Sequence, residues 1–329
     1  FFLLLRPEYA EHVLVRHQDR YVKGFTYRPL KALLGDGLLS AEGAVWQRHR
    51  RLMHPVFNRR HVQSFAPAIV DATRNRVAQW APGTVIDVAV EMRTLTLDVL
   101  GRVLFGTDLA GDEAVFGRAE TLLDRSIALH AATILPASFS PERLRSVATR
   151  IVPGLGRVSQ TLESVIARII DTRICAPHDE PSDLLDLLLA AGQDEQPLSR
   201  TEIQDEVMTL VLAGSLTTAN ALTWALTLLA RYPAAHDRLI EEADGVLGSR
   251  DTQTPDVDAL PWTQAVVSEA LRLYPPVWHV ERDAVQDDNI WGIPVSAGDT
   301  IGLSPYFLHR HPEFWPEPER FDPRRFLPD

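Results

Sequence analysis

The stretch VLAGSLTTANAL, residues 211–222, lies deep inside a run that otherwise has the pattern of one long helix. A glycine in a helix interior, here Gly214, costs up to about 1 kcal/mol relative to alanine. A threonine such as Thr217 can bond back to a carbonyl of the preceding turn and bend the helix. Two interpretations explain these residues: close packing on a neighbouring helix, or space for chemistry. The stretch alone favours neither interpretation.

The surrounding helix has clear limits in the sequence. Ser199 and Glu202 have the spacing of a capping box, in which each side chain accepts a hydrogen bond from the backbone N–H of the other residue. Tyr232 and Pro233 follow the last residue with helical pattern. The sequence therefore predicts a central helix over 199–231, about 50 Å long at ~1.5 Å per residue, which must cross a protein core.

The rest of the chain also has mainly helical patterns. Most segments show apolar residues at three-to-four spacing, which is typical of amphipathic helices. After the YPP triplet at 274–276, short apolar runs alternate with glycine, proline and aspartate, which predicts β-hairpins. The segment 311–329 is too rich in proline for regular structure. We find no repeat and no clear linker, so we predict a single domain over 1–329 that is mainly α with a small, late β component.

Composition excludes several classes of protein. The chain has 33 Lys and Arg against 44 Asp and Glu, and its net charge of −11 argues against a dedicated nucleic-acid binder. Its single cysteine, Cys175, excludes an internal disulfide framework and a cysteine-rich zinc site, and favours a reducing compartment. The apolar start FFLLL is far shorter than the roughly 20 residues that span a bilayer. We therefore expect a cytoplasmic protein without a membrane segment in this chain.

A second motif, VVSEALRLYPPVW at 266–278, predicts a buried ion pair. Glu269 and Arg272 are three residues apart and so share a helix face, while apolar neighbours bury the helix. Downstream, WPEPERFDPRRF places Arg320 in a segment that prolines stiffen. We expect Arg320 to join the pair through a bidentate contact with Glu269, and so to fix the irregular segment to the helix.

Four motifs together resemble the cytochrome P450 family of haem-thiolate monooxygenases: GDGLLSAEGAVWQRHRRLMHPVF, AGSLTTA, EALR with LYPPVW, and PERFDPRRF, in this order. The resemblance covers essentially the whole chain. It implies the cytochrome P450 fold and a haem b cofactor. It also implies insertion of one oxygen atom of O2 into a hydrophobic small molecule, with electrons from a redox partner.

The resemblance assigns roles to individual residues. It implies that Trp46 and Arg50, one turn apart on a helix, donate hydrogen bonds to a haem propionate. Arg282, in the strand after the YPP triplet, matches a second propionate-binding arginine. Carboxylates of this kind require charge-assisted donors, with which these residue types are consistent. The three residues of the expected ion-pair network match the structural triad of the family, so we expect them to stabilise the fold and not to act in catalysis.

For the AGSLTTA motif, the resemblance favours space for chemistry. It implies that Ala213 and Gly214 leave room for dioxygen over the haem iron, and that Thr217 supplies a hydroxyl near the bound oxygen. Most members of the family have an acid directly before this threonine, whereas this chain has Leu216. We therefore expect protons to be delivered without an acid at that position.

The thiolate ligand of the family lies in a glycine-rich loop beyond the PERF segment. In this sequence that loop is expected beyond Asp329, so no metal ligand is expected within the chain. Cys175 lies far upstream, in TRICAPHDEP, and is not expected to bind iron. We therefore expect the 329 residues to be a fragment, incomplete at both ends and inactive by itself.

Substrate and partner also follow from the sequence. Val277 and Trp278 match family positions that line the substrate cavity, and their apolar side chains favour a hydrophobic substrate, although core packing explains the same residues. The segment WQRHRRLMHPVFNRRH concentrates basic side chains in an acidic protein: Arg48, Arg50, Arg51, Arg59 and Arg60. With Arg48 and Arg51 pointing away from the face of Trp46, this patch would suit an acidic ferredoxin- or reductase-type electron donor. A solvated basic face explains the same charges. We expect a monomer.

The sequence leaves three alternative interpretations of the function open. An all-helical terpene cyclase could use Asp287 and Asp288 to hold magnesium, although they lie in the predicted hairpin region and no second metal motif accompanies them. A zinc hydrolase could use histidine pairs that lack the usual glutamate spacing, namely His309 with His311 or His49 with His54. A truncated or degenerate relative that only binds a partner is the non-catalytic alternative.

Overall fold

A computed structural model describes residues 1–57, 59–119, 121–122, 155–178, 183–190 and 198–327. The chain divides into two compact units. The first unit consists of Phe1–Gly24, Ile69–Met92 and Thr217–Asp329. The second unit consists of Phe25–Ala68 and Arg93–Leu216. The prediction of a single domain over 1–329 stays a prediction.

Helices dominate the described residues, which confirms the mainly α prediction. In chain order they are α1 (Pro7–Glu11), α2 (Tyr27–Leu34), α3 (Gly43–Met53), α4 (Arg59–Ser64), α5 (Ala66–Val77), α6 (Val88–Phe105), α7 (Leu155–Cys175), α8 (Leu184–Ala190), α9 (Arg200–Arg231), α10 (Pro233–Leu247), α11 (Pro261–Leu273) and α12 (Pro305–Leu308). Short 3-10 and π turns connect several of them.

The β component is small and lies in the first unit. Its strands are β1 (Phe2–Leu4), β2 (Tyr21–Lys23), β3 (Val280–Ala284), β4 (Asp288–Ile290), β5 (Ile293–Val295) and β6 (Thr300–Leu303). One sheet has the order β1-β6-β3-β2, with β1 parallel to β6 and the other pairs antiparallel. Strands β4 and β5 form a hairpin. The hairpin prediction is confirmed, but the prediction of a purely late sheet is wrong, because three-residue strands such as β1 are too short to show an alternating pattern.

The long central helix is present as α9, over Arg200–Arg231. Its capping box is formed as predicted: the N–H of Ser199 donates to Glu202 Oε2 at 2.7 Å, and the N–H of Glu202 donates to Ser199 Oγ at 3.2 Å. By length and composition, α9 is also the one helix among the described residues that could cross a membrane, with 39 % of its apolar window buried in protein. A single helix of this kind is weak evidence, because core helices have the same composition.

Each unit has its own apolar core. In the second unit the core joins helices α6, α7, α8 and the first half of α9, with Leu97, Leu162, Ile166 and Val211 fully buried. The first unit has one core around its sheet and another between the second half of α9 and helix α11, where Val266 and neighbouring residues are buried. These cores fix the elements that carry the predicted site residues.

Candidate functional site

Trp46 and Arg50 lie one turn apart on helix α3. Arg50 is exposed and Trp46 is half-buried, and the guanidinium carbon of Arg50 lies 5.4 Å from the centre of the Trp46 ring. Within the part of the chain that the structure describes, no carboxylate pairs with Arg50. An indole N–H beside a guanidinium is a donor set that suits the carboxylate of a bound molecule. The predicted contact with a propionate therefore fits this geometry and stays a prediction.

Arg282 lies in the middle of strand β3 in the first unit, opposite Ile301 of β6 and Lys23 of β2. Its side chain is half-buried, and its guanidinium donates a hydrogen bond to the carbonyl of Glu281 at 2.7 Å. Helix α3, which carries Trp46 and Arg50, belongs to the second unit. The role of Arg282 at a second propionate stays a prediction.

Gly214 has a packing neighbour in the second unit. A Cβ atom at Gly214 would lie 3.1 and 3.2 Å from the two terminal methyl carbons of Leu100 on helix α6. Next to it, the Thr96 hydroxyl of α6 donates to the carbonyl of Ser215 at 3.1 Å, and the Ser215 hydroxyl donates to the carbonyl of Val211 at 2.7 Å. Helices α6 and α9 thus approach closely at small and polar residues. Close packing, the first interpretation of this stretch, therefore accounts for the glycine.

The other residues of the AGSLTTA motif do not interrupt the helix. Helix α9 is continuous through Ala213 and Thr217, both of which are half-buried. Leu216 is half-buried as well, and it brings no ionisable group to the position before the threonine. The predicted roles of Ala213, Gly214 and Thr217 around dioxygen stay predictions, and the packing of Gly214 is compatible with them.

Glu269 and Arg272 form the buried ion pair that their spacing predicts. Arg272 Nε and Nη2 donate to the two carboxylate oxygens of Glu269 at 2.6 and 2.8 Å. The remaining N–H groups donate to backbone carbonyls: Nη1 to His309 and Pro318 at 2.7 and 2.8 Å, and Nη2 to Arg320 at 3.1 Å. All five donors of this guanidinium are therefore satisfied, as a buried arginine requires.

The prediction that the Arg320 side chain binds Glu269 is wrong. Arg320 is exposed and its side chain donates to Glu317 at 2.9 Å; only its backbone carbonyl reaches the ion pair. The arginine beside Glu269 is Arg325, with Nε 3.5 Å from Glu269 Oε1. The sequence contains two P-x-R-F segments, at 318–321 and 323–326, and spacing alone could not choose between them.

The irregular segment is nevertheless fixed to helix α11, as predicted. The N–H of Asp322 donates to Glu269 Oε1 at 2.8 Å, in addition to the carbonyl contacts with Arg272. Both side chains of the ion pair are buried, with 0 and 1 % of their side-chain areas exposed. Glu269 and Arg272 therefore act as a connector between one helix and several turns of irregular chain, which supports their assignment to the fold and not to catalysis.

A cavity of about 490 Å³ opens in the first unit beside the predicted substrate residues. Apart from Asn220, its lining is aromatic and proline side chains, among them Trp224, Tyr274 and Trp278. The rings of Trp224 and Tyr274 are stacked with their centres 3.7 Å apart. Val277 does not line this cavity, but both Val277 and Trp278 are more than half exposed, at 51 and 61 %. The predicted assignment of these two residues to a substrate pocket stays a prediction.

Helix α3 makes a second set of polar contacts that the sequence reasoning missed. His49 is fully buried, and its Nδ1 lies 2.5 Å from Glu206 Oε1 of helix α9. Arg48 donates to Glu202 Oε1 at 2.8 Å, so its positive charge is paired with a carboxylate of helix α9. Arg48 is therefore not part of a free basic patch, contrary to expectation. A histidine among arginines gave no signal in the sequence, because its partner lies 157 residues away.

The alternative metal sites find other partners. The side chain of Asp288 is buried, with 4 % of its area exposed, and it accepts hydrogen bonds from His12, Arg20 and Tyr21 at 2.9, 2.8 and 2.7 Å. Burial alone would raise the pKa of Asp288, but the hydrogen bonds from His12 and Tyr21 hold it well below its ordinary value. Asp287 accepts the N–H of a neighbouring turn. This acidic pair therefore stabilises the hairpin region, which removes the basis of the magnesium interpretation.

Among the described residues, one group of His, Asp and Glu side chains lies close enough to share a metal ion: His178, Asp183 and Asp186. Both carboxylates already bind the buried guanidinium of Arg173, which donates to the two oxygens of Asp183 at 2.8 and 2.7 Å and also to Asp186. Arg173 and the two aspartates thus form a buried ion-pair network in which the guanidinium already occupies the carboxylates. Cys175 is exposed at the end of helix α7 and is not part of it.

Comparison with known proteins gives a consistent match. A family model described as "Cytochrome P450" matches residues 1–329. Cyclooctatin synthase of Streptomyces melanosporofaciens is 36 % identical over 330 residues, which covers 100 % of this chain and 71 % of that protein. Cyclooctat-9-en-7-ol 5-monooxygenase of the same organism is 32 % identical, covering 100 % and 70 %. Pentalenene oxygenase of Streptomyces avermitilis is 33 % identical, covering 98 % and 71 %.

Proposed function

Because the chain belongs to the cytochrome P450 family, we propose that it is the main part of a haem-dependent monooxygenase that hydroxylates a hydrophobic small molecule. The observation that carries the proposal is the family match over the whole chain, together with an indole and a guanidinium on helix α3 that no carboxylate of the described residues occupies. Relatives whose names state an oxygenase or monooxygenase activity support the same reaction class.

Haem b is the proposed cofactor, and the residues proposed to hold its carboxylates are Trp46, Arg50 and Arg282. When bound, haem iron supplies the binding and reductive activation of dioxygen. These three residues would bind the anionic edge of the cofactor and orient it. Charge-assisted donors of this kind are stronger than neutral ones, and an arginine fork adds geometric specificity.

Proton supply is proposed to depend on Thr217. Its hydroxyl can hold and pass a proton through Oγ1, whereas the half-buried Leu216 beside it can relay none. Ordered water must then carry the protons that an acid at position 216 would otherwise deliver. Ala213 and Gly214 are proposed to leave the space in which dioxygen and this water meet the hydroxyl.

The proposed substrate is an apolar small molecule. The names of the relatives specify pentalenene and cyclooctat-9-en-7-ol, and these names denote an alkene and an alkenol. The aromatic and proline lining of the 490 Å³ cavity, together with exposed Val277 and Trp278, suits such a compound.

The proposed electron donor is an acidic ferredoxin- or reductase-type protein, and the proposed location is the cytoplasm. Arg51 is exposed on helix α3 and can contribute positive charge to a docking surface, whereas Arg50, which the sequence placed in the same patch, is assigned to the cofactor. The side chains of Arg59 and Arg60, which the sequence placed in the same patch, lie outside the described residues. The protein is proposed to act as a monomer.

The proposed reaction is tested by measuring product formed per reduced nicotinamide consumed, with hydrogen peroxide quantified in parallel. In the full-length parent protein with haem, a ferredoxin-type donor and an apolar alkene, Thr217→Ala is expected to divert electrons from product into peroxide, because proton delivery at Oγ1 is lost. Leu216→Glu, which adds an acid at the neighbouring position, is expected to shift the balance toward product. Unaltered coupling in Thr217→Ala, at intact haem content and substrate binding, would remove Thr217 from the catalytic residues. Absence of any turnover by the parent protein would favour the non-catalytic relative.

The assignment of Cys175 has its own test. Cys175 is the sole cysteine of the 329 residues and is exposed at the end of helix α7. Haem added to this chain is therefore expected to give no thiolate-type spectrum with carbon monoxide. A thiolate-type spectrum that disappears in Cys175→Ser would show that this residue is an iron ligand after all.

A further inference from the structure

Helices α3 and α9 make a polar contact that is buried in the second unit. The residues of this contact have no role in the proposed reaction. His49 and Glu206 are both fully buried, with 0 and 1 % of their side chains exposed and 2.5 Å between Nδ1 and Oε1. The other ring nitrogen of His49, Nε2, lies 3.5 Å from Glu202 Oε1, and Glu202 also binds Arg48. Two adjacent residues of α3 thus hold two carboxylates of α9, one turn apart.

Apolar packing would be a better way to join two helices if stability alone mattered. A buried ion pair is often no more stabilising than apolar side chains of the same volume. This one also leaves two of its own buried atoms without a hydrogen-bond partner among the described residues: His49 Nε2 and Glu206 Oε2. A directional contact has a different advantage, because it fixes the rotation of one helix against another, whereas apolar contacts tolerate small rotations.

The charges around His49 favour its protonated form. The hydrogen bond to Glu206 raises the pKa of His49, although burial acts in the opposite direction. The groups that face it from helix α9 are Glu202, Glu206 and Asp205, and the neighbouring cation on its own helix is Arg48. A neutral His49 would leave Glu206 as a buried carboxylate without a cation.

The position of His49 on helix α3 connects this contact to the proposed cofactor donors. His49 precedes Arg50 directly and follows Trp46 by three residues, which is nearly one turn. Any rotation of α3 about its axis would move all three side chains together. We propose that the His49–Glu206 contact is a positioning device that sets the face of helix α3 presenting Trp46 and Arg50 to a carboxylate-bearing cofactor. This inference rests on the proposed function, which assigns these two residues as carboxylate donors.

The first test uses the chain without haem. The imidazole of His49 and the indole N–H of Trp46 are followed by nuclear magnetic resonance as pH is raised. The Trp46 signal is expected to shift with the same midpoint as His49, because loss of the imidazolium charge weakens the contact that fixes α3. Glu206→Gln should lower that midpoint, while His54→Gln, on an exposed histidine just after α3, should leave both signals unchanged. A Trp46 signal that ignores the titration of His49 would overturn the proposal.

The second test separates this inference from the proposed function. Affinity is measured for haem and for haem dimethyl ester, which has no free carboxylates. The wild-type chain is expected to prefer haem, and His49→Gln is expected to reduce that preference about tenfold, equivalent to ~1.4 kcal/mol, without weakening binding of the ester. If the wild-type chain shows no preference, the proposed carboxylate site is wrong. If the preference is present and His49→Gln retains it, only the positioning role is wrong. The pH titration of the wild-type chain in the first test needs no substitution. It therefore decides whether His49 positions helix α3 even if a variant fails to fold.

Discussion

The buried pair of Glu269 and Arg272 in the first unit and the buried pair of His49 and Glu206 in the second unit differ in how they are built. In the first unit, Glu269 and Arg272 lie on one helix, and the guanidinium uses all its donors, partly on backbone carbonyls of the irregular segment. In the second unit, His49 and Glu206 come from helices far apart in sequence, and both retain a buried polar atom without a partner among the described residues.

This difference separates two uses of buried charge. A pair whose hydrogen bonds are complete holds chain segments that have no secondary structure of their own, and removing either partner leaves an uncompensated charge. A pair with incomplete hydrogen bonds pays more desolvation for each contact, so it is a poor general stabiliser. Such a pair instead fixes the orientation of one helix relative to another. With histidine as the cation, the strength of the contact also depends on pH, which it does not with arginine.

The largest expected effect is at the complete network. Glu269→Ala should destabilise the protein by on the order of 3–5 kcal/mol, because it leaves Arg272 buried without its carboxylate and frees the N–H of Asp322. The measurement is the free energy of unfolding from urea titration. Glu317→Ala is a matched control, since Glu317 is an exposed acid that binds Arg320 at the surface. Equal stabilities of the two variants would contradict the buried connector.

A pH-dependent effect is expected at Asp205, beside the incomplete pair. Burial raises the pKa of Asp205 to about 6, although the N–H of Asp36 donates to its carboxylate and favours ionisation. A carboxyl group whose pKa is higher in the folded than in the unfolded state favours folding below the unfolded pKa, and this contribution is lost as pH rises through about 6. Asparagine can accept the same N–H but cannot ionise. Asp205→Asn should therefore be more stable than wild type by up to about 3 kcal/mol at neutral pH.

The same variant should show no advantage near pH ~3, which lies below the pKa of Asp205 in both the folded and the unfolded state, so that the carboxyl group is protonated in both. Urea titrations of both proteins at the two pH values measure the difference. Asp171→Asn is a suitable control, because Asp171 is an exposed acid of the same unit whose carboxylate pairs with Arg200. A stability gain that is independent of pH would mean that ionisation of Asp205 is not its cause.

The smallest expected effect tests the corrected third member of the network. Arg320→Ala should change stability by less than about 1 kcal/mol, because its side chain makes only an exposed ion pair with Glu317. Arg325→Ala should cost more, because Arg325 lies beside Glu269 with 14 % of its side chain exposed and donates to the carbonyl of Glu317 at 3.0 Å. Thermal unfolding of the two variants in parallel checks the order. A larger loss for Arg320→Ala would restore the original assignment.

Local patterns predicted the features whose partners are near in sequence. The capping box of Ser199 and Glu202 needs only a three-residue spacing, and the pair of Glu269 and Arg272 needs only a shared helix face and apolar neighbours. The hairpins after the YPP triplet follow from alternating apolar and turn residues. Each of these features depends on backbone periodicity, which a sequence displays directly.

Tertiary structure decided the features whose partners are remote. The sequence could name Arg320 or Arg325 for the segment beside helix α11, but only the path of the irregular chain places Arg325 near Glu269. Likewise, the residue at position 214 must be small because Leu100, which lies on another helix, leaves little room for a side chain there.

By itself, the sequence determined the mainly helical class, the long helix α9 and the family, because these depend on patterns within short stretches and on their order along the chain. The tertiary structure alone decided that His49 meets Glu206, that Arg48 is used inside the fold and that Asp288 is held by three donors. The physical reason is that the partner of a buried polar group is set by which elements pack together. Packing depends on side chains that are distant in sequence, so no local pattern contains it.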